Sequence, residues 1–149
     1  MTTQHRALPG ARGVTPPEVA RLLARADAEL VAAGLTADPA ERFVHSHLGA
    51  LRSAAAVVAL RGRPSSRSRA RSVWDMLALV EPGLSAWSVY FAGGARIRAA
   101  VDAGRFDAVE ARQADEIMAC AEDFRDEVAM LVDPDVGFVR HPSLRVVAS

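Results

Sequence analysis

One stretch constrains this chain more than any other: Pro39–Arg61, PAERFVHSHLGALRSAAAVVALR. Asp38 before it is a helix cap, Pro39 suits the first helical position, and Glu41 stands three residues after the cap, where it can complete a capping box. No proline interrupts the stretch until Pro64, and Gly62 just before it is a natural stop. Phe43, Val44, Leu48, Leu51, Ala54, Ala55 and Val58 recur at helical spacing and give a broad face of small apolar side chains. A helix of this length and breadth of apolar surface needs other helices around it.

The rest of the chain supplies them. Thr15-Pro16-Pro17-Glu18 reads as a helix entry, with Thr15 as the cap, and Val19, Leu22, Leu23, Ala26 and Leu30 follow at helical spacing up to a stop at Gly34. Ser72 caps a short helix, VWDMLALV, anchored by Trp74 and Leu77 and closed by Glu81-Pro82-Gly83. Leu84, Trp87, Tyr90, Phe91, Gly94, Ile97 and Val101 mark a fourth helix ended by Gly104. Glycine inside a helix costs about 1 kcal/mol against alanine, so Gly93-Gly94 implies close approach of another backbone, with a ligand or a kink as the alternatives. A fifth helix runs from near Glu110 to Val132, with a stripe of Ala114, Ile117, Met118, Ala121, Phe124, Val128 and Leu131. Asp115, Glu116, Glu122, Asp123, Asp126 and Glu127 line its other side. No stretch alternates well enough for a central sheet. The expected fold is all-α: an antiparallel up-down bundle of four long helices plus one short cross-helix. Residues 1–15 form an arm, 16–132 the helical domain and 133–149 a tail.

Composition narrows the setting. The 149 residues are enough for one domain with a real core, and 50% are hydrophobic while only 5% are aromatic. That apolar surface is mostly Ala, Val and Leu, which suits close-packed helices. The formal net charge is zero, which gives no overall attraction to nucleic acid or to a membrane surface. Every basic residue is arginine, and asparagine is absent too, the mark of a GC-rich genome such as an actinobacterial one. Cys120 is the sole cysteine, which excludes an internal disulfide and a cysteine-based zinc site. No run of membrane-spanning length and no secretory leader is evident, so a cytoplasmic protein without a membrane partner is expected.

Residues that carry chemistry are few. The chain has no phosphate-binding loop signature, dinucleotide fingerprint, nucleophile elbow or zinc-binding His-Glu-x-x-His helix. No metal and no cofactor is expected. Two features remain. Arg61, Arg63, Arg67, Arg69 and Arg71 fall in and beside GRPSSRSRAR, a segment without an acid; it reads either as a solvated linker or as a strip that contacts phosphate. Arg42 and His47 stand five positions apart on the central helix, roughly 140° apart on its wheel. They point away from each other within one chain. His47 lies on the apolar face, where a buried histidine satisfied by a neighbour is the ordinary reading and an acid/base the alternative. His45 and His47, two positions apart, diverge too far to share a metal.

An ordered set of blocks carries a resemblance. It comprises Pro39-Ala40-Glu41-Arg42-Phe43, His47-Leu48, Ala50-Leu51-Arg52, Trp74, Trp87 with Phe91-Ala92, Arg98-Ala99-Ala100 with Ala103-Gly104, and Ala114-Asp115. With the Arg-x-x-x-x-His motif in a small helical bundle, the chain resembles the HEPN superfamily (higher eukaryotes and prokaryotes nucleotide-binding), and more narrowly an actinobacterial SAV-type HEPN family, over about residues 16–132. The resemblance implies a helical bundle that dimerises. It also implies that Arg42 and His47 of two chains form a composite site for metal-independent endoribonuclease chemistry in a toxin-like or stress effector. His47 would be the acid/base and Arg42 the phosphate-holding cation. Catalytic members usually carry a small polar residue directly after the arginine, where this chain has Phe43. Other members are non-catalytic helical modules that bind a nucleotide, RNA or a partner protein.

Overall fold

Gly49 shows how the long helices meet. A Cβ built on it would stand 2.8 Å from Leu30 Cδ2 and 3.4 Å from the Ala26 carbonyl. Glycine leaves room here for the Leu30 side chain against the backbone of the next helix, and Ala26, Ala33, Ala50 and Ala54 of the same two helices are fully buried. The computed structural model describes residues 15–135. They form α1 (Pro17–Leu35), α2 (Pro39–Arg61), α3 (Val73–Val80), α4 (Ser85–Asp102) and α5 (Ala111–Val132), with single 3-10 turns at Pro82–Leu84 and Phe106–Ala108. No strand occurs among the described residues. Nearly all of the expected N-terminal arm and of the expected tail lies outside them.

The fold is all-α, as the periodicity indicates. Its centre is α2, which packs most heavily on α1 and α5 and also touches α3 and α4. A hub helix is buried on more than one face. Phe43, Ser46, His47, Gly49, Ala50, Ser53, Ala54, Ala56, Val57 and Val58 are buried, whereas Val44, Leu48, Leu51 and Ala55, expected to define the apolar face, are only half-buried. By length and mean hydropathy α2 could also cross a bilayer, contrary to the expectation that no run is long enough. Most of its apolar window is buried against its neighbours, which is what a core helix does.

The helix ends follow local chemistry, with three departures. Asp38 caps α2 by accepting from the Glu41 amide at 3.0 Å, and Ser72 caps α3 through the Asp75 amide at 3.1 Å. Gly62, at φ +97°, ends α2. Glu41 does not complete a capping box, because its carboxylate instead accepts from the Thr36 hydroxyl at 2.8 Å. Thr15 does not cap α1: Pro16 occupies the cap position and no side chain bonds there. Gly34 does not end α1 either; the helix runs on to Leu35. What satisfies that end comes from α2, as described below.

Aromatic side chains fill the space between α2, α3, α4 and α5. Phe91 and Phe124 are wholly buried with ring centroids 5.4 Å apart, Trp74 stacks on Phe91 at 5.3 Å, and Trp87 also stacks on Phe91 at 5.7 Å. Polar ties hold the periphery. The Trp87 indole N–H donates to Glu127 at 3.1 Å. The buried Arg125 makes a two-pronged bond to Asp27, at 2.8 and 3.0 Å, joining α5 to α1.

Candidate functional site

His47 points from the hub helix into the aromatic cluster and is only 1% exposed. Its ring lies beside Trp74 and Phe91, with centroids 5.9 and 6.4 Å away, and is nearly coplanar in orientation with Phe43. Its Nε2–H donates to the Phe91 carbonyl at 2.8 Å, and its Nδ1 accepts from Arg98 Nη1 at 3.3 Å. These partners assign the neutral tautomer with the proton on Nε2. Burial pushes the imidazole below its ordinary value of 6.5. The Phe91 bond works in the opposite sense, the Arg98 charge adds to the depression, and Asp102 offsets part of it. Arg98 in turn lies 3.8 Å from Asp102, one turn along α4.

The neighbouring glycine explains how α4 accommodates the ring. A Cβ on Gly94 would meet His47 Cδ2 at 3.2 Å and Phe43 Cζ at 3.5 Å. Gly93 has open space around its Cβ position, so of the glycine pair only Gly94 is required by packing. The close approach implied by that pair is therefore made by the rings of α2, not by its backbone.

Arg42 turns to another part of the molecule. Its Nε donates to the Ala33 carbonyl at 3.2 Å and its Nη2 to the Thr36 carbonyl at 2.7 Å. Its Nη1 pairs with Asp115 near the start of α5. One guanidinium thus satisfies carbonyls left open at the end of α1 and ties that end to α5. His45 bonds Glu29 of α1 through Nδ1 at 2.8 Å. The wheel places Arg42 and His47 apart, and their partners keep them so: α1 and α5 for Arg42, α4 for His47.

The arginines after α2 divide into two groups. Arg61 pairs with Glu81 at 2.8 Å, and Arg63 leans on the Met76 sulfur at 3.9 Å. Arg67, Arg69 and Arg71 are exposed and have no side-chain partner among the described residues. Between this loop, α3 and α4 lies an open groove of about 600 Å³. No group of histidine, cysteine, aspartate and glutamate with metal-binding geometry occurs among the described residues.

The family model HEPN_SAV_6107, a HEPN-like family, matches residues 32–129. The chain belongs to this HEPN family. The match covers the whole of α2 to α4 and nearly all of α5, the elements that carry Arg42, His47, Arg98 and Asp115. No curated protein and no solved structure matches the chain. Sequence reasoning about this HEPN domain missed Arg98 and the capping role of Arg42. Gly94 was the available signal for Arg98, since Phe91, Gly94 and Arg98 fall on one face of α4 and all three meet His47. No local signal marks Arg42 as a cap, because its acceptors belong to a helix that ends before it.

Proposed function

We propose that this HEPN domain is a non-catalytic helical module whose role is to bind a partner. The observation that carries this reading is the state of His47: 1% exposed, with both ring nitrogens already hydrogen-bonded inside the core. A general acid or base must reach the proton it transfers, directly or through one water. Reaching a ribose 2′-OH would require His47 to leave four aromatic and polar neighbours. Arg42, the other half of the motif, is engaged with two carbonyls and a carboxylate. In a composite ribonuclease site across a homodimer, a second copy would have to draw both side chains out of these contacts. Arg67, Arg69 and Arg71, by contrast, are exposed and are among the arginines that make no side-chain hydrogen bond or ion pair among the described residues.

RNA incubated in EDTA with the wild-type protein, Arg42→Ala and His47→Ala tests this, with folding of each checked by circular dichroism. The expected result is no cleavage by any of them. Cyclic-phosphate ends produced by the wild type and lost in both folded variants would overturn the binding-module reading and establish the metal-independent endoribonuclease.

A further inference from the structure

The groove between the arginine loop, α3 and α4 differs from the rest of the surface. Trp74, 4% exposed, forms part of its floor. Leu79 of α3 is 57% exposed and Val89 of α4 is 75% exposed, and both line it. Ordinary surface leucines and valines are scattered; here two helices present them on one concavity. Arg69 also lines the groove, and Arg67 and Arg71 flank it in the chain, all three without side-chain partners among the described residues. One acid, Asp75, lines it too, with its carboxylate accepting from the Arg71 amide at 3.1 Å, so the site is an apolar channel whose loop edge carries more cations than acids.

We propose that this groove docks an acidic amphipathic helix of a partner protein, with its apolar side chains against Leu79 and Val89 and its carboxylates against Arg67, Arg69 and Arg71. The inference deepens the binding-module reading by naming the surface and the chemistry of the partner. Charge complementarity selects this occupant. Residues 1–14 and 136–149 contain arginines and no Asp or Glu, so neither end of the chain can neutralise the loop. A second copy offers acids on α5, but the apolar stripe of that helix, including Ile117, Phe124 and Val128, is buried in its own core. Single-stranded RNA would meet the cations but gain nothing from aliphatic walls; no aromatic residue lies in the loop, and Trp74 in the floor is 4% exposed and already stacked on Phe91, so it offers no face to a base. An amphipathic helix laid in a groove uses both features at once.

Selection of a displayed library of short helical peptides, randomised on both faces, against the full chain tests the proposal. The expected winners carry Asp or Glu on one flank and large apolar residues at helical spacing. Their affinity should fall about tenfold or more with Leu79→Ser/Val89→Ser, and by a similar factor, with a reduced salt dependence, with Arg67→Ala/Arg69→Ala/Arg71→Ala. Both sets change exposed side chains, so the fold stays intact. The proposal is overturned by failure to enrich any sequence over an arginine-rich control protein. It is overturned equally by acidic winners that lack apolar spacing, by winners indifferent to Leu79→Ser/Val89→Ser, or by a chain that self-associates through the groove. RNA cleavage would sink the binding-module reading and leave these results standing; failed enrichment would remove the groove and leave that reading untouched.

Discussion

His47 and Arg69 both lie close to α4 and are in opposite condition. His47 is buried, neutral and bonded at both nitrogens. Arg69 is exposed, charged and without a side-chain partner among the described residues, at the edge of an apolar groove. A polar group buried in the core must be satisfied where it stands, since an unpaired one costs a few kcal/mol. An exposed cation is satisfied by water and is free to exchange water for a partner. The difference teaches where recognition can occur in this fold: on the loop and groove, not on the motif that first attracts the eye.

The comparison breaks most directly at His47. His47→Ala removes a wholly buried ring, leaves a cavity among Phe43, Trp74 and Phe91 and deprives Arg98 of its acceptor. It should cost about 3 kcal/mol in urea unfolding. A loss below about 1 kcal/mol would mean that the ring is not part of the core. The same ring gives a pH signature. Its folded-state value lies below the ordinary 6.5, so above that pH it is neutral in both folded and unfolded chains. As pH falls from 6.5 toward the folded-state value, the unfolded chain takes up a proton that the folded chain refuses, and stability drops. Below the folded-state value this contribution no longer changes. His47→Leu should remove that part of the acid-side slope; an unchanged slope would show that other groups produce it.

Gly49→Ala is the next largest. Its new methyl would overlap Leu30 at Cγ as well as at the terminal Cδ2, so turning the tip of that side chain does not clear it, and a loss of about 2 kcal/mol is expected by thermal or urea melting. Arg42→Ala follows, at about 1–2 kcal/mol, because two carbonyls at the end of α1 lose their donor while the exposed Asp115 pair adds little. Arg42→Lys should recover less than half, since a single ammonium cannot reproduce the planar fork that reaches three acceptors. Full recovery by lysine would reduce Arg42 to a point charge.

How much of this was legible follows from the range of the interaction. Starts and stops set by neighbours a few residues away, such as Asp38 with the Glu41 amide, Ser72 with the Asp75 amide and Gly62 at its positive φ, were readable from residue type alone. The end of α1 was not. Gly34 is a plausible terminator and the helix stops one residue beyond it, but the donor to the carbonyls there is a guanidinium from the next helix, which residue type near the end does not reveal. Glu41 has two hydroxyl or amide donors within reach, and spacing cannot choose between them. The buried surface of α2 was misread for a similar reason. A wheel finds one apolar face, whereas a hub helix also buries Ser46, Gly49 and Ser53, which no hydropathy scale marks. For the candidate site, the wheel did separate Arg42 from His47, since that angle is fixed by helix geometry. The groove was invisible, because Leu79 and Val89 come from different helices and meet only after folding.

The smallest expected effect lies on the other side of the comparison. Replacing Arg67, Arg69 and Arg71 together with alanine should leave the urea midpoint unchanged within error, because no side-chain contact among the described residues is lost and the backbone turn is held by other groups. In that turn the Ser65 hydroxyl accepts from the Arg67 amide at 3.1 Å and the Ser68 hydroxyl from the Ala70 amide at 3.0 Å. The Asp75 carboxylate accepts from the Arg71 amide at 3.1 Å, a bond that the substitution preserves. Removing three like charges from one loop also relieves repulsion, which opposes any loss. A clear destabilisation would place these arginines in the structural framework with Arg42 and erase the distinction between the two regions. An unchanged midpoint would leave them with no structural role in the fold, so that any loss of partner binding in the same variant is a loss of recognition alone.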